Sequence, residues 1–144
     1  MNSGKFEFRA WDILGQRMLE WGSIFTLPAW EIFPGTPEQR PYAVMQYTGV
    51  KDIHGKKIYE GDIVMWKGIH HKEKYLVIWL GKYARFAFWK PGNVFVSGLV
   101  DGGNIVKLGD IYTTPEHWKE YGGIECWTKL NRENYENGKM EGAE

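Results

Sequence analysis

From Lys5 to Tyr112, runs rich in Val, Ile, Phe, Tyr and Trp are cut by Gly, Asp, Asn or Pro at intervals of roughly 8–12 residues. That interval is short for helices and suits β-strands joined by tight turns, as in a sandwich or small barrel. The opening run carries the period plainly. Phe6, Phe8 and Ala10 alternate with Lys5, Glu7 and Arg9, so Lys5–Trp11 reads as a strand with one apolar face inward and one polar face in water. Gly15 supplies a turn, and Met18–Trp21 reads as the returning arm of a hairpin. Pro28, Pro34, Pro37 and Pro41 fall within residues 28–41. Proline lacks the N–H that a central strand donates, so this stretch is expected to be a long surface loop.

The second block repeats the pattern. Ala43–Thr48 reads as a strand, Asp52–Gly55 as a turn, and Ile58-Tyr59 and Ile63–Trp66 as further strands. Tyr75–Leu80 is apolar on both faces, which predicts a central strand covered on each side. Gly81 ends it, and Tyr83–Trp89, Val94–Val100 and Ile105–Tyr112 follow, separated by Pro91-Gly92-Asn93 and Asp101–Asn104. Only the end reads as helix. Thr114 is placed as an N-cap, with Pro115 at the first helical position and Glu116 in the first turn, and Gly122-Gly123 stops the helix. Residues 119–144 form an extension of poor periodicity that is expected to fray from Asn137. The expectation is one mainly-β domain over residues 1–144, with a small SH3-like or barrel-like core of short antiparallel strands and a short C-terminal helix.

Three segments carry a resemblance when taken in order. Lys5–Asp12 opens the chain and includes Trp11 and Asp12. The middle block runs Met45-Gln46-Tyr47-Thr48-Gly49-Val50-Lys51-Asp52, then Gly55-Lys56, then Ile58-Tyr59-Glu60-Gly61-Asp62-Ile63-Val64; Gly109–Tyr112 with Pro115-Glu116 closes it. Over roughly residues 5–118 the chain resembles the YopX family, small proteins encoded by bacteriophages and prophages. The resemblance implies a mostly-β, barrel-like fold and supplies no chemistry, since the family's molecular function is unassigned. The motif residues also have a physical reading. Gly49, Gly55 and Gly61 stand at turns, and Asp12, Asp52 and Asp62 stand beside turns, where carboxylates accept backbone N–H bonds. Trp11, Gln46, Tyr47, Thr48, Tyr59 and Glu60 complete this set, which is taken as architectural.

Composition sorts the function classes. Aromatic residues make up 16% of the 144, which excludes a disordered body, and no run is long and apolar enough for a membrane span. The MNSGKFEF opening lacks a signal-peptide core, and the single Cys126 cannot form an internal disulfide; both fit the cytoplasm of a host bacterium. Catalytic readings are thin. Cys126 has His117 in its region, but a double glycine lies between them. His70 and His71 would point to opposite sides of an extended chain, so at most one shares a face with Glu73, and no metal is expected. Glu60 and Asp62 could pair on one strand face, but they read first as solvated acids at a turn. No catalytic residue, cofactor or metal is assigned.

Two binding classes stay open. Residues 67–115 carry seven bases against three acids (+4), residues 116–144 four against seven (−3), and the first 66 residues seven against eight (−1). The basic stretch also holds Tyr75, Trp79, Tyr83, Phe86, Phe88 and Trp89. A basic middle and an acidic end suit self-association, and eight tryptophans exceed what one small core readily holds. A non-catalytic homo-oligomer or protein-interaction module is therefore the first reading. The alternative is a small barrel that binds single-stranded nucleic acid through Lys72, Lys74, Lys82, Arg85, Lys90 and Trp89, with lysines on phosphates and an aromatic ring on a base.

Overall fold

The computed structural model describes residues 6–28, 41–67, 72–81, 83–95 and 104–137. The loop expected at 28–41 and the frayed end expected after Asn137 lie almost wholly outside these residues. The chain divides into two compact units between Tyr47 and Thr48. The fold is mainly β, with short antiparallel strands and a C-terminal helix.

In the first unit β1 (Phe8–Asp12) pairs antiparallel with β2 (Arg17–Leu19) on one side and with β3 (Tyr42–Lys51) on the other. The returning arm is shorter than its sequence suggests, because Trp21 opens the one-turn helix α1 (Trp21–Ile24) instead of extending the strand. Register places Ala10 beside Leu19 and Val44 on one face, where they pack with Phe8, Trp21, Leu27, Tyr42 and the buried Ile24. The opposite face corrects the sequence reading. Glu7, Arg9 and Trp11 are buried too, whereas Phe6 precedes the strand and is 71% exposed. Arg9 lies opposite the buried Met45, and its Nη2 donates to Met45 Sδ at 3.7 Å. The alternation is real, but its polar phase is not a solvent phase.

β3 runs on past Tyr47 into the second unit, where β4 (Lys57–Tyr59) is its sheet neighbour. The larger sheet holds β5 (Asp62–Lys67), β6 (Lys72–Leu80), β7 (Arg85–Lys90), β8 (Asn93–Phe95) and β9 (Ile105–Asp110), in the order β8-β7-β6-β5-β9. β6 is its middle strand, with Tyr75 to Ile78 and Leu80 buried, so both faces are covered as its apolar run requires. Val64, Tyr75, Val77, Phe88 and Ile105 on one face pack with Ile58 of β4 and Val50 of β3 into the barrel-like core. The β3–β4 turn ties to β9 through Ile53 N–H to Ile105 O at 3.1 Å. Register slips between Ile63 and Val64, where β9 carries an extra residue and bends.

The C-terminal extension is more ordered than its sequence suggests. A 3-10 helix (Pro115–Tyr121) ends at Gly122 (φ 105°), and the chain resumes at once as α2 (Gly123–Asn137), which the sequence reading left out. Thr114 does not cap forward; its Oγ1 accepts from Asp110 N–H at 3.0 Å and so closes the preceding turn. Among the described residues of this region, Trp118, Trp127 and Leu130 are buried. Trp127 Nε1 donates to the Tyr112 hydroxyl at 3.0 Å, and burial pushes that phenol up to about 12.

Candidate functional site

Three groups of residues could carry function: the turn carboxylates, the basic and aromatic strands, and the apolar face of the first unit.

The carboxylates build turns. Asp12 Oδ1 accepts Gly15 N–H at 2.9 Å, and its other oxygen lies 3.7 Å from Arg17. Asp52 Oδ1 accepts His54 and Lys56 N–H, and Oδ2 accepts Lys107 N–H, each within 2.9 Å. Burial alone would raise the Asp52 pKa, but these three donors outweigh it and hold the carboxyl below its ordinary range. Thr48 Oγ1 donates to Ile58 O across the β3–β4 pair and accepts Val50 N–H within β3. Gly49, Gly55 and Gly61 sit at φ 88°, 79° and 82°, the left-handed region that favours glycine. Gln46 is half-buried in β3, and Tyr47 and Tyr59 are buried.

Asp62 departs from its sequence reading as a solvated acid. It is 0% exposed, accepts Tyr59 N–H at 2.7 Å and pairs with Lys107 Nζ at 3.1 Å. The same ammonium donates to Lys57 O and lies 5.7 Å from the Tyr59 ring centre. Glu60, half-buried, stands on the other side of Gly61. Lys107 was not singled out from the sequence, because nothing local marks a partner 45 positions away in another strand. The Asp62 carboxylate is closed to water and sits against this ammonium, an arrangement that fixes β5 to β9.

The basic and aromatic strands are largely occupied. Lys74 Nζ donates to His117 O at 2.9 Å and to Glu120 Oε2 at 2.6 Å, and the latter hydrogen bond holds the Glu120 carboxyl low. Lys90 pairs with Glu73 at 3.1 Å, and Glu73 also accepts the Tyr75 hydroxyl at 2.6 Å. Burial and that neighbouring carboxylate raise the Tyr75 pKa. Trp89 is half-buried, its ring 6.5 Å from the buried Trp118. Arg85 is exposed at the start of β7. Lys72 belongs to β6 by its backbone, while Lys82, His70 and His71 lie outside the described residues. Among the described residues no three His, Cys, Asp or Glu side chains gather as metal ligands, and no helix is long and apolar enough to cross a membrane.

The first unit presents the opposite character. Its apolar cluster has two buried members, Ala10 and Ile24, ringed by half-buried Phe8, Leu19, Trp21, Leu27, Tyr42 and Val44. Trp21 stacks at a tilt on Phe8 (5.7 Å) and Phe25 (4.6 Å), and Phe25 is 70% exposed. At the hairpin tip Leu14 is 87% exposed. The tryptophan count hints at uncovered aromatic surface; its location here does not follow from any local pattern.

The crystal structure of protein EF1440 from Enterococcus faecalis shares this fold, with a TM-score of 0.52 and 23% identity, covering 77% of this chain and 96% of that one. No curated protein is significantly similar in sequence. The YopX protein family model matches residues 29–119, from before β3 to the 3-10 helix. It leaves the opening Lys5–Asp12 motif and most of the C-terminal extension outside, yet takes in the whole middle block and the Gly109–Glu116 closure. With well over half of its residues matched, in the order in which its turn carboxylates and glycines build the second unit, the chain belongs to the YopX family.

Proposed function

We propose that this protein is a non-catalytic interaction module, encoded by a phage or prophage, that works as a homo-oligomer in the host cytoplasm. The observation that carries the reading is the half-covered apolar face of the first unit. Six large apolar side chains ring a centre of only two buried ones, and Phe25 and Leu14 stand in solvent. A surface of this kind marks an interaction site when it exceeds scattered exposure, and aromatic anchors dominate such interfaces. Asp12 and Arg17 of the same hairpin lie against each other, which leaves exposed Glu20, just before Trp21, as the further charge beside the cluster and keeps the face predominantly apolar. A second copy suits it better than a strongly charged partner. The opposed charge blocks of the sequence contribute less, because Glu120 meets Lys74 within one chain.

Light scattering on the eluting protein tests the proposal. The expected mass is a defined multiple of 16.8 kDa that falls to one protomer in the Leu14→Ser/Phe25→Ser double variant. A wild-type mass of one protomer at all concentrations would overturn it.

A further inference from the structure

β2 is the outer strand of its sheet, with β1 on one side and no described strand on the other. The pairing of β1 with β3 settles which way the β2 backbone points. Tyr47 N–H donates to Glu7 O at 2.8 Å and Ile13 N–H to Pro41 O at 3.1 Å, so the odd positions of β1 bond to β3. The even positions Ala10 and Asp12 therefore turn to β2 and bond to their register partners, Leu19 and Arg17. Met18 lies between those two, so its N–H and C=O both point out of the edge of the sheet. Among the described residues neither group has a partner. The chain leaves the strand at Glu20, whose carbonyl accepts the first bonds of α1 from Ser23 and Ile24 N–H. Two apolar side chains in solvent flank this edge: Leu14 on the hairpin tip before it and Phe25 at the end of α1. Between Trp21 and Phe25, Gly22 has open space where a Cβ would stand.

We infer that two copies pair antiparallel at β2 about a two-fold axis through Met18, so that Met18 N–H of each donates to Met18 O of the other. The pairing rests on the self-association proposed for the first unit and places its seam. One two-fold contact satisfies both open groups in both copies. In that register Arg17 faces the partner's Leu19 and Gln16 the partner's Glu20, so no like charges stand opposite. The apolar clusters of the two copies share one face of the joined sheet, and the Arg17 stem lies over the partner's half-buried Leu19. The same axis sets Leu14 against the partner's Gly22, so each exposed leucine is carried to the gap between Trp21 and Phe25. A foreign edge strand would satisfy Met18 but leave this reciprocal match unused.

Disulfide trapping in a Cys126→Ser background tests the seam. Paired Met18 α-carbons would stand about 5.5 Å apart, within disulfide reach, whereas the two Arg17 residues are offset by two positions and lie beyond roughly 7 Å. Under mild oxidation Met18→Cys should form a covalent dimer about 10-fold faster than Arg17→Cys. Two further variants are read by light scattering. Met18→Pro removes the outward N–H and no bond to β1, as an edge strand tolerates. Gly22→Glu places a charge where the partner's Leu14 would sit, and its Cβ meets nothing in the protomer, so it decides the matter if the proline variant fails to fold. Each folded variant should fall to the mass of one protomer. Suppose the wild type associates: trapping of Met18→Cys no faster than Arg17→Cys, or a folded variant that keeps the wild-type mass, would overturn the seam and leave self-association standing. A wild type of one protomer at every concentration would remove both.

Discussion

Asp62 shows how far one side chain can be misjudged from its neighbours. Flanked by glycine at a turn, it reads as a solvated acid; in the fold it is enclosed and joined to Lys107 and Tyr59 N–H. Removing one partner of a buried pair leaves the other charge uncompensated, so Asp62→Ala should cost about 3 kcal/mol in urea unfolding. Gly61→Val, which forces a β-branched residue to φ 82°, should cost roughly 1–3 kcal/mol, so the carboxylate is at least as important as the turn glycine. A loss below 1 kcal/mol for Asp62→Ala would show that Lys107 finds water instead. Asp52 makes a different prediction. Its carboxyl titrates lower in the folded chain than in the unfolded one, so its contribution is whole above the ordinary carboxylate pKa and is lost as pH falls through the depressed folded value. Asp52→Asn should therefore flatten the acid limb of the stability curve, seen by comparing unfolding midpoints near neutrality with those at progressively lower pH. The turn role of each aspartate was legible because carboxylates beside glycines accept nearby N–H groups. Burial was not, because Lys107 is brought to Asp62 only by the pairing of β5 with β9.

At the scale of elements, the sequence spoke most clearly where one period repeated without interruption. β6 was readable as a central strand because its apolar run has no polar face to present to water. β1 alternates just as clearly, yet side chains on both of its faces are buried, since alternation reports chemistry and only what packs on each face decides its burial. α2 does not show in the sequence for another reason: among its described side chains only Trp127 and Leu130 are buried, and the Lys, Asn, Arg and Glu residues around them blur the stripe. Turns also carry a testable strain. Ala84 holds a left-handed conformation for which glycine has no Cβ penalty. Ala84→Gly should stabilise the second unit by about 1 kcal/mol, read from the urea midpoint, provided the turn keeps its geometry. A destabilised variant would mean that the flexibility glycine adds to the unfolded chain outweighs the strain released. Gly109 sets the opposite constraint, because a Cβ there would overlap Thr114 Oγ1, the atom that closes the Asp110 turn.

For the whole molecule, the charge blocks visible in the sequence are partly resolved inside one chain, and among the described residues the first unit leaves large apolar side chains in solvent. Lys74 with Glu120 and Lys90 with Glu73 neutralise part of the basic middle, whereas the first unit keeps Phe25 and Leu14 in solvent beside a half-covered cluster. If a second copy covers that face in the native state and not in the unfolded one, association and folding are linked by mass action. The thermal midpoint should then rise with protein concentration, by roughly 2–3 °C for each tenfold increase in a chain of this size. Leu14→Ser/Phe25→Ser should remove the concentration dependence and leave the midpoint near the dilute wild-type value, because neither side chain is buried in the protomer. A wild-type midpoint that stays fixed while concentration is raised about 100-fold would separate the apolar face from self-association. The exposed aromatic surface would then have to be met by a different protein, and a midpoint that rises only on adding host extract would be its mark.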